Sequence, residues 1–197
     1  MKSRTLFSLL AITISTSTSL ARAQDPQTAH PATVFSPQME AGRKQLLTSA
    51  ELGDKHAQMW LGTFYEQGRF GKTDFQEALK WFSKAAAQGG PDAQVCLGQM
   101  YEDGEGVQQN YVMAAKWYGK AAEHVPDFGG AGQGRNNLGL LYLNGLGVPK
   151  DLVHAYMWFS LTGSQTNLLY AKAEMSPAQV LKAERMAQQW RHRHPSP

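Results

Sequence analysis

The chain contains a single cysteine, Cys96, among 197 residues. No intramolecular disulfide can staple it, so its stability must come from packing. Charge of one sign is also scarce: 19 Lys and Arg stand against 16 Asp and Glu. Three of those cations, Lys2, Arg4 and Arg22, lie in an N-terminal stretch without acids, and the remainder balances at 16 against 16. A balanced chain offers no electrostatic footprint for nucleic acid, and the small basic tail Arg191-His192-Arg193-His194 reads as a solvated end. Metal and phosphate chemistry are as poorly furnished. His30, His56, His124, His154, His192 and His194 are scattered with no HExxH, and the His-x-His of the tail is a weak metal signal. Gly129, Gly130, Gly132 and Gly134 lack the Lys-Ser/Thr of a phosphate loop and follow no strand, which favours a flexible insertion. Neither catalytic residues nor a cofactor or metal site can be assigned from the sequence.

A long hydrophobic run is missing too. Lys2 and Arg4 open a stretch from Leu6 to Leu20 that is apolar but diluted by Ser and Thr, and Ala21-Arg22-Ala23 follows. A transmembrane anchor needs about 20 strongly apolar residues, so this stretch reads as a secretion signal cut between Ala23 and Gln24. With no cysteine near the cut, a lipid anchor is disfavoured. The expectation is an exported monomer, periplasmic or secreted and without a membrane anchor after cleavage. Residues 24–35 carry Pro26 and Pro31 and no helical period, which predicts a linker. Ser36 before Pro37 is a helix start. The remainder is long enough for one domain with an ample core.

Against these absences stands internal repetition. Residues 85–120 laid on 49–84 agree at 13 of 36 positions, among them Ala57/Ala93, Gln58/Gln94, Leu61/Leu97, Gly62/Gly98, Tyr65/Tyr101 and Trp81/Trp117. A further offset of 41 carries Leu97, Gly98, Tyr101, Gly104, Ala114 and Trp117 onto Leu138, Gly139, Tyr142, Gly145, Ala155 and Trp158. The five extra residues of that third repeat are expected in a loop around Asp127–Gly134.

Each unit reads as two helices. In the first helix, positions 57, 58, 61, 62 and 65 share one side at about 100° per residue and hold the recurring residues, so that side packs. Gly62, Gly98 and Gly139 cost roughly 1 kcal/mol each inside a helix, which a close helix neighbour would offset. Gly68, Gly104 and Gly145 follow as left-handed caps. Asp74, Asn110 and Asp151 are N-cap types for the second helix. The recurrence of Trp81, Trp117 and Trp158 at equivalent positions favours packing over a cofactor or nucleobase role.

The segments AQMWLGTFYEQG, AQVCLGQMYEDGEGV and NNLGLLYLNGLGV, followed by ALKWF, AAKWY and AYMWF, resemble the Sel-one-like repeat (SLR) family, relatives of the tetratricopeptide repeats. Repeat one departs with Gly68-Arg69-Phe70-Gly71 in place of G-x-G-V, and repeat three lacks the Ala-Gln pair. The resemblance implies an all-α fold, a right-handed α/α solenoid of helical hairpins. Repeats are expected at about 49–84, 85–120 and 121–162 within residues 36–194. Solenoid ends need polar caps. Residues 37–52, with Met39 and Leu46 in register with Phe75 and Phe82, supply one. Residues 177–191, opened by Ser176-Pro177-Ala178-Gln179, supply the other. With a short helix near Leu168–Glu174 the expected total is nine helices.

Functionally the resemblance implies adaptor or scaffold work on a protein or peptide ligand. By similarity to tetratricopeptides, the concave surface is lined by the non-packing side of the first helices. That side would present His56, Met59, Trp60, Thr63, Glu66 and Gln67, then Asp92, Val95, Cys96, Gln99, Glu102 and Asp103, then Asn136, Asn137, Leu140 and Asn144. Two rival classes stay open at this point. Cell-wall polymer binding would need exposed aromatics, for which Trp60 is the strong candidate. β-Lactam interaction or hydrolysis is linked to cysteine-rich SLR proteins, whose repeated Cys pairs this chain lacks.

Overall fold

The computed structural model describes residues 37–125 and 129–195, with side chains from Glu40 onward. The expected signal, its cleavage site, the linker and the Ser36 cap lie outside the described residues. Among the latter there are nine helices and no strand. They are α1 (Pro37–Glu51), α2 (Lys55–Glu66), α3 (Phe75–Ala87), α4 (Pro91–Asp103), α5 (Tyr111–Ala122), α6 (Gly130–Asn144), α7 (Leu152–Thr162), α8 (Gln165–Ala173) and α9 (Pro177–Arg193). From α1 to α8 each helix packs on the next, as tandem hairpins must, and α9 packs back on α7.

Local chemistry sets the boundaries. Asp74, Asn110 and Asp151 each accept a backbone N–H of the following turn, from Glu77 at 3.1 Å, Met113 at 3.0 Å and Val153 at 2.8 Å. Asp54 does the same for α2, accepting from Ala57 at 2.7 Å. Gly104 and Gly145 close α4 and α6 at φ 76° and 70°. Gly68 is left-handed two residues beyond the end of α2, and Arg69 N–H reaches back to Phe64 O at 2.8 Å. Ser176 and Gln179 form the expected capping box on α9, which runs two residues past Arg191 to Arg193.

The recurring glycines are contact points between the two helices of one repeat. A Cβ on Gly62 would lie 2.5 Å from the Phe82 ring, one on Gly98 2.5 Å from Tyr118, and one on Gly139 2.6 Å from Phe159. Those three rings are fully buried. The glycine therefore acts as a socket for the aromatic of the second helix, and the packing gained there offsets the propensity cost.

A second element recurs between repeats. Gln58 donates through Nε2 to Ala50 O at 2.9 Å, and Gln94 donates to Ala86 O at 3.3 Å. In repeat three Arg135 stands at the same position and donates to Ala122 O at 2.9 Å and His124 O at 2.7 Å. A buried side chain thus ties each first helix to the last carbonyls of the preceding second helix, satisfying acceptors that the helix end leaves over. The missing Ala-Gln pair is replaced in function by Arg135, whose guanidinium also lies 4.5 Å from the centre of Trp190. Because Ala50 occupies the place of Ala86 and Ala122, α1 stands where the second helix of a repeat would stand.

The expectation of a flexible insertion over Gly129–Gly134 is corrected by the structure. Residues 130–134 are the first turn of α6, and Gly130, Ala131 and Gly134 are buried there. A Cβ at Gly130 would lie 2.6 Å from Pro91 O, and one at Gly134 2.7 Å from Ala121 Cβ. These glycines permit backbone contact; they do not mark freedom. Residues 126–128 lie outside the described residues.

Candidate partner-binding surface

The non-packing side of the first helices is laid out unevenly. On α2, His56 and Gln67 are exposed, Thr63 is half-buried, and Trp60 is 57% exposed. Met59 is partly withdrawn, packing against the cluster of Ala78, Phe82 and Met100. On α4, Asp92 and Asp103 are exposed and Gln99 is half-buried. Val95 does not belong to this surface: it is 2% exposed and packs into the core beneath the third repeat, because its position faces the next hairpin. The wheel placed it correctly on the side away from Leu61 but could not locate the C-terminal neighbour.

Cys96 packs on the same Phe82 and Met100 cluster as Met59. Burial pushes its thiol up to about 12, and the carboxylates of Glu66 and Asp92 push in the same direction. Cys96 is therefore a neutral, poorly nucleophilic part of the surface floor. Glu102 accepts the Tyr118 hydroxyl at 2.7 Å. Burial raises the Glu102 carboxyl more than that hydrogen bond lowers it, and Asp103 adds to the rise. The Tyr118 hydroxyl is raised by burial and by Glu102, and is also held by Asn137. Asn137 and Asn136 are thus engaged in structure, the latter accepting from Asn167 Nδ2 of α8 at 2.8 Å. The structure brings Met59, Cys96, Glu66 and Asp92 together between α2 and α4, and ties the two asparagines to Tyr118 and α8.

Trp60 also heads an aromatic cluster that the sequence did not single out, running through Phe64 and Phe70 to Tyr65. Trp60 lies 6.0 Å from Phe64, Phe64 lies 5.6 Å from Phe70, and Phe70 lies 5.1 Å from Tyr65. The guanidinium of Arg43 stands 4.7 Å from the Phe70 centre and that of Arg69 5.6 Å from Phe64. The signal was present in the sequence as the departure of repeat one, where Phe70 replaces the glycine found at 106 and 147.

Among the described residues no group of three or more His, Cys, Asp or Glu could hold a metal ion, and no helix is long and apolar enough to cross a membrane. A family model of the Sel1 repeat matches residues 55–90, 91–124 and 133–167. The chain belongs to the Sel1-repeat family. Solved structures agree. An SLR-fold protective antigen from uropathogenic Escherichia coli strains is 33% identical with a TM-score of 0.69, the match covering 79% of this chain and 33% of that one. A Sel1 repeat protein from Oxalobacter formigenes is 26% identical with a TM-score of 0.58, covering 77% of this chain and 65% of that one. The chain thus spans about a third of the first and under two thirds of the second. A comparison with curated proteins gave no match. Sel1 repeats generally serve as protein-interaction modules and are typically non-catalytic scaffolds.

Proposed function

We propose that this Sel1-repeat chain is an exported adaptor that takes a partner polypeptide on the exposed side of its first helices. The supporting observation is Trp60, which is 57% exposed on α2 while the recurring Trp81 and Trp158 are buried. A large aromatic left in solvent on a rigid helix is the residue type that dominates interface energetics when covered. Around it the surface runs from Met59 and Thr63 to the carboxylates of Asp92 and Asp103, a composition suited to an apolar anchor followed by a cation. His56 and Gln99 complete the strip, with Cys96 as its floor, while Asn136 and Asn137 are held by Asn167 and Tyr118 at its far end. The SLR protein of uropathogenic E. coli is a protective antigen, which is in keeping with export. Ala21-Arg22-Ala23 points the same way.

The test is binding to a partner captured from envelope extracts. Trp60→Ala should weaken affinity about tenfold or more, and Asp103→Asn should act through a salt-dependent on-rate. Wild-type affinity in both variants, with circular dichroism intact, refutes the reading. Sedimentation with purified cell-wall polymer, abolished by Trp60→Ala, would replace a polypeptide partner by a polysaccharide. N-terminal sequencing of secreted material should begin at Gln24, and retention of Lys2 contradicts export by signal cleavage.

A further inference from the structure

Repeat equivalence shows what the N-terminal edge of the solenoid is shaped to receive. Phe64 occupies the position of Met100 and Leu141, each 1% exposed because the preceding repeat covers it. Trp60 occupies the position of Cys96 and Asn137, which face the preceding repeat through the Phe82 cluster and Tyr118 respectively. The bond from Gln58 to Ala50 gives α1 the place of a second helix, the first described helix of the solenoid. Before α2, therefore, the second helix is in place, while Phe64 stays partly exposed and Trp60 more than half exposed.

We propose that this edge is a docking groove for an amphipathic, acidic helix of a partner protein, which completes the half-repeat as its first helix. This rests on the interaction-module reading and specifies the partner. The groove continues an interface the chain uses between α4 and the pair α5–α6, and Met59 of α2 packs in the same sense on the cluster of Ala78, Phe82 and Met100. Charge gives the sign. The edge carries Arg43 and Arg69 over the rings of Phe70 and Phe64. Two of the chain's own first helices end in acids, Glu66 in α2 and Glu102 with Asp103 in α4, and α4 contains no cation, whereas α6 ends in Asn144. Successive first helices of a solenoid run parallel, so such an acidic end would lie beside Arg69, just past the end of α2.

The probe is a synthetic peptide of residues 90–104 of this chain with Cys96→Ser, lactam-stapled on the face opposite Val95 so that ordering costs little. It is titrated into the mature chain by anisotropy. Saturable binding is expected, weakened tenfold or more by Trp60→Ala and by Phe64→Ala, and by Arg69→Glu in a salt-sensitive way. Lys182→Ala, exposed on α9 at the other end of the solenoid, should leave it unchanged. Because Phe64 is partly buried, the exposed Trp60 and Arg69 variants carry the test should Phe64→Ala lose its fold. A chain lacking residues 24–35 should bind like the longer one. The proposal is overturned if only that truncated chain binds, since its own segment then fills the groove. It is equally overturned if the chain self-associates and the peptide dissolves the dimer, or if the stapled peptide does not bind. Each outcome leaves the interaction-module reading standing. That reading fails separately, when Trp60→Ala and Asp103→Asn both hold the captured partner like wild type.

Discussion

Placing an alanine at Gly98 tests the socket directly. Its Cβ would sit 2.5 Å from Tyr118 Cε1 and 2.6 Å from Cδ1, roughly 1 Å inside ordinary carbon contact. The ring cannot swing aside, because Tyr118 is fully buried and its hydroxyl is fixed on Glu102 at 2.7 Å. Overpacking of this kind costs about 1–3 kcal/mol. Alanine regains about 1 kcal/mol of helix propensity, so Gly98→Ala should lose up to about 2 kcal/mol, and Gly98→Leu the full penalty or more. Gly119 is the matched control: it lies within α5, and a Cβ there would meet nothing within 4 Å. Gly119→Ala should gain up to about 1 kcal/mol from propensity alone. At about 2–4 °C per kcal/mol for a chain of this size, thermal unfolding should order the proteins Gly119→Ala, wild type, Gly98→Ala, Gly98→Leu from most to least stable. A Gly98→Leu protein melting with or above wild type would refute the socket.

Three further outcomes are expected. Trp81 donates to Glu77 at 3.1 Å, whereas the buried indole N–H of Trp117 has no acceptor and Met113 stands where Glu77 does. Met113→Glu should rebuild that bond and raise urea-unfolding stability by about 0.5–1.5 kcal/mol. The Glu102 carboxyl is raised above its ordinary value by burial, so the folded state holds its proton more tightly than the unfolded state. Its contribution is favourable at low pH and is lost as pH rises through the folded pKa. Glu102→Gln should therefore remove that loss, equalling wild type near pH 4 and exceeding it at pH 7 in chemical denaturation. Arg135→Gln should keep a donor for Ala122 O yet lose the bond to His124 O and the contact with Trp190, costing about 1–3 kcal/mol in thermal melts.

What the sequence revealed was what is local or repeated. Asp74, Asn110, Asp151 and Ser176 cap helices with their own side chains, so each signal sits within a few residues of the structure it makes. Gly62, Gly98 and Gly139 were legible as close approaches because their recurrence argued against chance. The features missed depend on a neighbour distant in sequence. Gly130 and Gly134 looked like a loop by composition, but they are glycines because Pro91 and Ala121 press on them. Arg135 reads as a surface residue until its carbonyl acceptors and Trp190 are placed around it. Val95 and Cys96 follow one another on the non-packing side of one helix, about 100° apart, and only the next hairpin determines which is covered. The aromatic edge at Phe64 and Phe70 was hidden for a similar reason, since its exposure comes from what stands before it.

The buried stitches between hairpins also set an order of fraying. In a one-dimensional stack each junction is coupled chiefly to its neighbours. The junction before α6 has two bonds from Arg135, backed by Trp190. The junction before α4 rests on a single 3.3 Å bond from Gln94, whose Oε1 has no partner. Amide exchange should therefore resolve two blocks: α1–α3 opening at lower free energy, and α4–α9 persisting to global unfolding. The chain would then behave as a spring that is softest at its N-terminal turns, so that whatever docks there changes its compliance as well as its length.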